Sequence, residues 1–419
     1  MVDLDVAPVP SVRRRHPMPS RSVALLVVGL LTLVAVAGSA RAAPSFAGAL
    51  WSGPYDRDND TLTLTPTTLF LSHHDAGGPA LKAYDLATGV VRWSAPSADV
   101  MARVPSVAGG VIVAPDGFER YFERPDLLLA RTTRTIARDA RTGAALWRAT
   151  GEAEAVTDRS VLLVDSTGSV PSLREVGLRD GGTLWSRTAP GLAQVAVVGD
   201  VVVTAGTDGR LTVLRDADGS VERTEKVPWP GLARLSSVAG LLVVTGQAPS
   251  GQTSTVYRPD TLAELWRAGG ALTDCRAVLC GTEPGALIGY DPSTGARRWR
   301  LAGMTAASPL RNDRIVASSE GSGLFQLLDP ATGRPLGGVG SGLGSGRPDS
   351  RTAAGSGPAF LLRGVTTAPD ETAVVRLDLR TGEQSLQGTL EGTGWLGCRS
   401  AAKYLVCLQN SRLTVTAAD

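Results

Sequence analysis

The chain has 419 residues, of which 43% are hydrophobic and 20% charged, and its net charge is +2. That balance allows a large buried core, and past residue 41 there is no concentration of basic residues that would serve as an electrostatic footprint for nucleic acid. The 49 glycines and 26 prolines argue against a helical protein and for a chain with many turns.

Residues 1–21 carry Arg13, Arg14, Arg15 and Arg21 and read as a short cytoplasmic tail. Residues 22–40, SVALLVVGLLTLVAVAGSA, contain no charge and suffice to cross the hydrocarbon core as one helix. The arginines before this run place the N-terminus inside and everything after it outside. The length favours an uncleaved anchor, whereas Ala40-Arg41-Ala42 matches the small-residue site of a cleaved signal. Both readings expect an extracytoplasmic body at the cytoplasmic membrane. No cysteine follows the run, which excludes a lipoprotein anchor. Residues 41–46 read as a linker and 47–419 as the folded body.

The body rewrites one phrase, apolar–Asp–x–x–Thr–Gly–x–x–x–Trp. AYDLATGVVRW, ARDARTGAALWR and GYDPSTGARRWR are its clearest copies. The turn is intact at Asp85–Gly89, Asp139–Gly143, Asp291–Gly295, Asp329–Gly333 and Asp378–Gly382. Three further units keep the frame with Gly181, Gly219 and Leu262 at the fifth position. The spacing is near 40 residues, the mark of a repeat architecture. Before each turn lie short β-branched runs such as VGDVVVTAGTDGRLTVL, which read as antiparallel strands. The Asp is expected to cap the turn and the Gly to supply positive φ. The tryptophans, Trp51, Trp93, Trp147, Trp185, Trp266 and Trp299, are expected to pack between neighbouring sheets. Leu262 would be strained in a left-handed position, so that unit is expected to use a different turn.

Four short strands per unit, repeated about eight times, imply an all-β fold: a single β-propeller of four-stranded antiparallel blades after one N-terminal transmembrane helix. The C-terminal unit ends where its turn Asp belongs, and AGALW at 47–51 resembles the strand it lacks, so the two ends are expected to share a blade. Counting that composite gives nine units; eight blades are favoured, with one degenerate unit, and seven to nine are compatible. Two stretches break the period and read as loops: 115–132, a candidate contact surface, and the Gly/Ser-rich 337–347, a flexible connection.

Cys275, Cys280, Cys398 and Cys407 allow three disulfide pairings. Local pairing, each pair flanking one hairpin, is favoured over a zinc site because the pairs lie 118 residues apart. His73 and His74 read as part of a polar hairpin loop. The aspartates of the turns occur one per unit, which opposes convergence on a calcium ion. No catalytic, cofactor-binding or metal residue is assigned, and no cofactor is expected.

The phrase resembles the repeat of the PQQ-like (quinoprotein-like) β-propellers. That resemblance implies one of two roles: a quinone-dependent dehydrogenase with PQQ and calcium at the axis, or a cofactor-free scaffold of the BamB kind. The chain lacks the adjacent Cys-Cys pair of many quinone dehydrogenases, and it departs from BamB in having an apolar anchor in place of a lipidation cysteine. WD-type propellers fit less well, since the Gly-His and Trp-Asp signatures are missing. The expected function is a membrane-anchored module that binds an envelope or cell-surface protein. A quinoprotein oxidoreductase and a small-ligand sensor are the alternatives.

Overall fold

The computed structural model describes residues 49–417, apart from 76, 98–103, 125–126, 230–232, 249–250, 311–312, 320–323, 342–343, 349–358, 366–367, 392–396 and 410. The tail, the apolar run and the linker expected over residues 1–46 lie outside the described residues. Among the described residues there is no helix, so none is long and apolar enough to cross a membrane.

Each repeat folds as a four-stranded antiparallel sheet whose strands follow chain order. The fourth blade (192–226) shows why. Its two central strands, Val201–Gly206 and Arg210–Arg215, are β-branched and buried on both faces, pairing Val202 with Leu214 and Val203 with Val213. Its last strand, Val221–Lys226, is exposed throughout. The first strands of neighbouring blades approach one another, as Leu192–Val198 does Arg234–Val238, so first strands line the inside and fourth strands the rim.

Blades 1 to 8 span residues 61–96, 106–150, 152–188, 192–226, 234–269, 273–302, 306–341 and 344–391. Blade 9 is composite: 397–417 supplies three strands, and Trp51–Pro54 supplies the fourth, pairing Trp51 with Val415 and Pro54 with Arg412. Blades 8 and 9 are further joined by two parallel pairs, Arg347 with Arg399 and Pro348 with Ser400.

Nine blades among the described residues correct the eight favoured from sequence. The packing gives the reason. Buried apolar residues form nine clusters, each shared by two consecutive blades. One of them packs Leu62, Leu69 and Leu71 of blade 1 against Val406, Leu413 and Val415 of blade 9. Nine sheets with nine shared cores make a closed ring. No unit is degenerate, because the units that have lost a phrase residue fill the space by other means.

Two predicted loops are strands. Residues 115–132 lie within a long ribbon, Val111–Arg124 paired with Leu127–Asp139. The return strand holds β-branched Thr132, Thr133, Thr135 and Ile136, residues that favour extended backbone. Within 337–347, the Gly/Ser-rich chain completes Pro335–Ser341 and enters Gly344–Pro348. Sheet hydrogen bonding holds a backbone there that composition alone marks as a linker.

Both disulfides are local. Cys275–Cys280 closes the inner hairpin of blade 6, and Cys398–Cys407 joins directly opposed residues of blade 9. All four cysteines are buried in the cores shared between blades.

Candidate functional site: the joints between blades and an inner cleft

In an antiparallel blade the connections alternate between two ends. The Asp-x-x-Thr-Gly turns therefore share one face of the ring with the inner hairpin turns. The tips of the central hairpins and the links between blades occupy the opposite face.

The turns are self-contained. Asp85 Oδ1 accepts hydrogen bonds from the backbone N–H of Ala87 and Thr88 at 3.0 Å each, and from the Thr88 hydroxyl at 3.1 Å. Asp139, Asp291, Asp329 and Asp378 repeat the backbone pair. The threonine hydroxyl then accepts the N–H two residues on, as from Val90 to Thr88 at 3.3 Å. These bonds hold the carboxyls of Asp139 and Asp378 below the usual carboxylate range, and in Asp85 the Arg92 guanidinium lowers it first, with the turn bonds adding to it. In Asp291 the Ser293 hydroxyl and then Arg298 push it well below. The role of Thr was not legible as mechanism, although its recurrence three residues after Asp was visible. An arginine seven residues after Asp was also passed over; Arg92 and Arg298 pair with the caps of their own turns.

Gly89, Gly143, Gly295, Gly333 and Gly382 all have φ between 68° and 78°. Five of the substituted or intact turn glycines after Gly89, and Gly89 itself, also face a tryptophan. A Cβ on Gly143 would lie 2.6 Å from the ring of Trp93, and one on Gly295 2.5 Å from that of Trp266. The tryptophan always belongs to the preceding blade. Its Nε1 donates to the carbonyl of the residue after the Asp position: Trp51 to Leu86, Trp93 to Ala140, Trp147 to Leu178, Trp185 to Asp216, Trp266 to Pro292 and Trp299 to Pro330, at 2.6–3.1 Å. A bulge aims five of the six rings. In blade 2, Trp147 pairs with Ala137 and Ala145 with Arg138, so Leu146 is skipped and left exposed. The same skip precedes Trp93, Trp185, Trp266 and Trp299. Bulges of this kind re-aim a neighbouring side chain. The phrase is thus a joint whose tryptophan and glycine come from different blades.

Three of the nine joints lack the tryptophan; the one between blades 8 and 9 carries Leu386 at that position, and the other two are closed by side chains from elsewhere. Between blades 4 and 5 its place is taken by Arg223, and the facing turn carries Leu262. The expectation of a different turn there is corrected: Leu262 donates to the Arg258 carbonyl at 2.9 Å in the same closure, with φ of 54°. With no ring in the way its side chain enters the core, 5% exposed, and that burial offsets the left-handed strain. Inside the same joint the Gln194 amide bridges the first strands, donating to Ala233 O and accepting from Leu235 N at 2.6 Å each. Between blades 7 and 8 the tryptophan position is Gly337. Here Arg314 donates through Nε at 3.0 Å to Leu379 O, the carbonyl a tryptophan would have used. Arg314→Met, which keeps the stem and deletes the donor, is expected to cost about 1.5 kcal/mol in urea denaturation. A loss near zero would show that the bond is not what closes this joint.

Glu175 is the buried carboxyl of the joint between blades 3 and 4, 3% exposed, with Oε2 lacking a partner among the described residues. Burial raises its pKa, Asp216 pushes the same way, and a bond from Ser160 opposes them. The folded state therefore holds the proton more tightly than the unfolded chain. Stability is full below the unfolded-state value near 4.5 and is lost as pH rises through the folded one. Glu175→Gln is expected to raise the melting temperature at pH 7, with the gain fading as pH falls towards 4.5. A gain equal at both pH values would remove Glu175 as its source.

His73 is on the strand Thr68–Asp75, not in a loop. Its Nδ1 lies 2.7 Å from Oδ2 of Asp60, whose side chain is fully buried and also accepts from Asp56 N–H. The 13-residue separation, across a link between blades, hid this partner in the sequence. Among the described residues no group of three or more His, Cys, Asp or Glu is placed to hold a metal.

On the face opposite the turns, a cleft of about 540 Å³ opens between the root of the long ribbon in blade 2 and the first strand of blade 3. Glu152, Glu154, Thr132 and Thr135 line it with Val113 and Pro115, and Arg234 of blade 5 reaches it from across the inner side. Glu154 is skipped between the pairs Ala153–Leu163 and Ala155–Leu162, so a bulge turns it out of the ladder. No local pattern in the chain marks this cleft, because its walls come from three blades.

A family model described as outer membrane protein assembly factor BamB matches residues 78–258, less than half of the chain. No curated protein matches. Among solved structures, BamB from Moraxella catarrhalis is 16% identical over 88% of this chain and 99% of its own, with a TM-score of 0.44. A eukaryotic initiation factor is 9% identical over 83% and 92%, with a TM-score of 0.56. The quinohemoprotein alcohol dehydrogenase ADHIIG of Pseudomonas putida HK5 is 11% identical over 88% and 76%, with a TM-score of 0.43. At such identities the likeness concerns the fold.

Proposed function

We propose that this chain is a membrane-anchored, extracytoplasmic scaffold that binds a protein of the cell envelope. The observation that carries the reading is the ribbon of blade 2. The first strand of that blade pairs only with Val111–Val113, and the fourth only with residues 134–138, so the hairpin over 116–131 runs on past both neighbours. Among the described residues no third strand covers it. It stands on a rigid ring, tied to blade 3 by Arg131, which donates to Ser166 O at 2.9 Å. A stiff projection with open strand edges suits recognition by another chain. The match to the model named for an assembly factor supports the same class of role. The apolar run at 22–40 and the two disulfides support a membrane tether and an oxidising compartment.

The test is crosslinking in intact membranes, with the whole chain and with a variant in which 117–131 is replaced by a two-residue Asn-Gly turn. A crosslinked species is expected for the whole chain and lost in the variant, while both melt alike. Recovery of the same species from both would refute the ribbon as the contact. Release of the whole chain by alkaline carbonate would refute the anchor.

A further inference from the structure

The inner cleft has charge of both signs on its walls, and that arrangement has a use. Glu152 and Glu154 stand on the first strand of blade 3, the second of them turned out of the ladder by a bulge. Arg234, on the first strand of blade 5, lines the same cavity from the other side. Thr132, on blade 2 and 4% exposed, lines the same cavity and contributes a hydroxyl with no hydrogen-bond partner among the described residues. A buried hydroxyl of that kind costs free energy unless something satisfies it. The volume, about 540 Å³, falls within the range of small-molecule sites. Val113, Pro115 and Val156 add apolar wall that suits carbon between two charged ends, beside the hydroxyl-bearing Ser106 and Thr135.

We propose that this cleft binds a small zwitterion, an amino acid or short peptide with free termini, whose ammonium is held by Glu152 and Glu154 and whose carboxylate is held by Arg234. A purely cationic ligand would meet the guanidinium, and a purely anionic one the two carboxylates. Only a ligand with both charges matches both walls. The inference is independent of the membrane anchor and of the ribbon's partner.

The test is isothermal titration of the full chain in detergent micelles with triglycine, N-acetyl-triglycine and triglycine amide. Triglycine is expected to bind, and each blocked form to bind about tenfold more weakly, the scale of one lost charge-assisted contact. Glu154→Gln is expected to weaken triglycine about tenfold while leaving the N-acetyl form unchanged, and Arg234→Gln to do the same relative to the amide. Glu225→Gln, on the exposed rim strand of blade 4, is the control and is expected to change nothing. Absence of triglycine binding, or equal binding of the three peptides, overturns the proposal without any variant. Equal losses for blocked and free peptides in the variants would overturn the assignment of the two poles.

Discussion

Trp147→Ala is expected to lower the unfolding free energy by about 3–5 kcal/mol, the range for removing a large buried aromatic. Trp147 is 9% exposed, packs with Val161, Leu163 and Val176 of the next blade, and donates to Leu178 O at 2.8 Å. Its ring also fills the space that Gly181 leaves open, where a Cβ would lie 2.7 Å away. Truncation therefore leaves a cavity, an unsatisfied carbonyl and a loosened joint together. Leu146 beside it, skipped by the bulge and 40% exposed, is the internal comparison, and Leu146→Ala is expected to stay within about 0.5 kcal/mol. Urea denaturation of the two variants decides the matter. Similar midpoints would mean that the joint is not where the stability of the ring resides.

The second large effect concerns the joint between blades 4 and 5. Arg223→Trp alone is expected to destabilise by about 1–3 kcal/mol, because the new ring must enter space already filled by Leu262. Leu262→Gly alone is expected to cost about 2–4 kcal/mol as a cavity, partly offset by relief of the left-handed strain. The double variant restores the pair found at six of the joints and is expected to recover most of both losses, a coupling of about 2–3 kcal/mol. Denaturation of the four proteins measures that coupling. Additive losses would show that Leu262 does not stand in for the tryptophan.

These joints explain what could be read from the sequence. The phrase around Asp291, Gly295 and Trp299 is local, and its recurrence near 40 residues exposed both the turn and the ring. The parts that went unread involve residues far apart in the chain. Leu262 looks wrong only until Arg223, 39 positions earlier, is known to face it. Arg314 replaces a tryptophan although it lies just before the strand Ile315–Ser318, 23 positions ahead of Gly337. His73 finds Asp60 across a link between blades. The cleft draws Glu154, Thr132 and Arg234 from three blades. The blade count failed for a related reason: units without the consensus residue were read as weak, whereas the structure closes them with substitutes drawn from elsewhere.

The composite blade sets a timetable. Its rim strand, Trp51–Pro54, is synthesised long before Arg412–Ala417, its only partner in the sheet. At about 5–20 residues per second the early strand waits roughly half a minute. Throughout that interval blade 1 shows the bare leucines that will later meet blade 9. A nascent arc of this kind is adhesive at one end and unfinished at the other. The last strand made is the latch for the first, so ring closure reports that the whole propeller has been delivered.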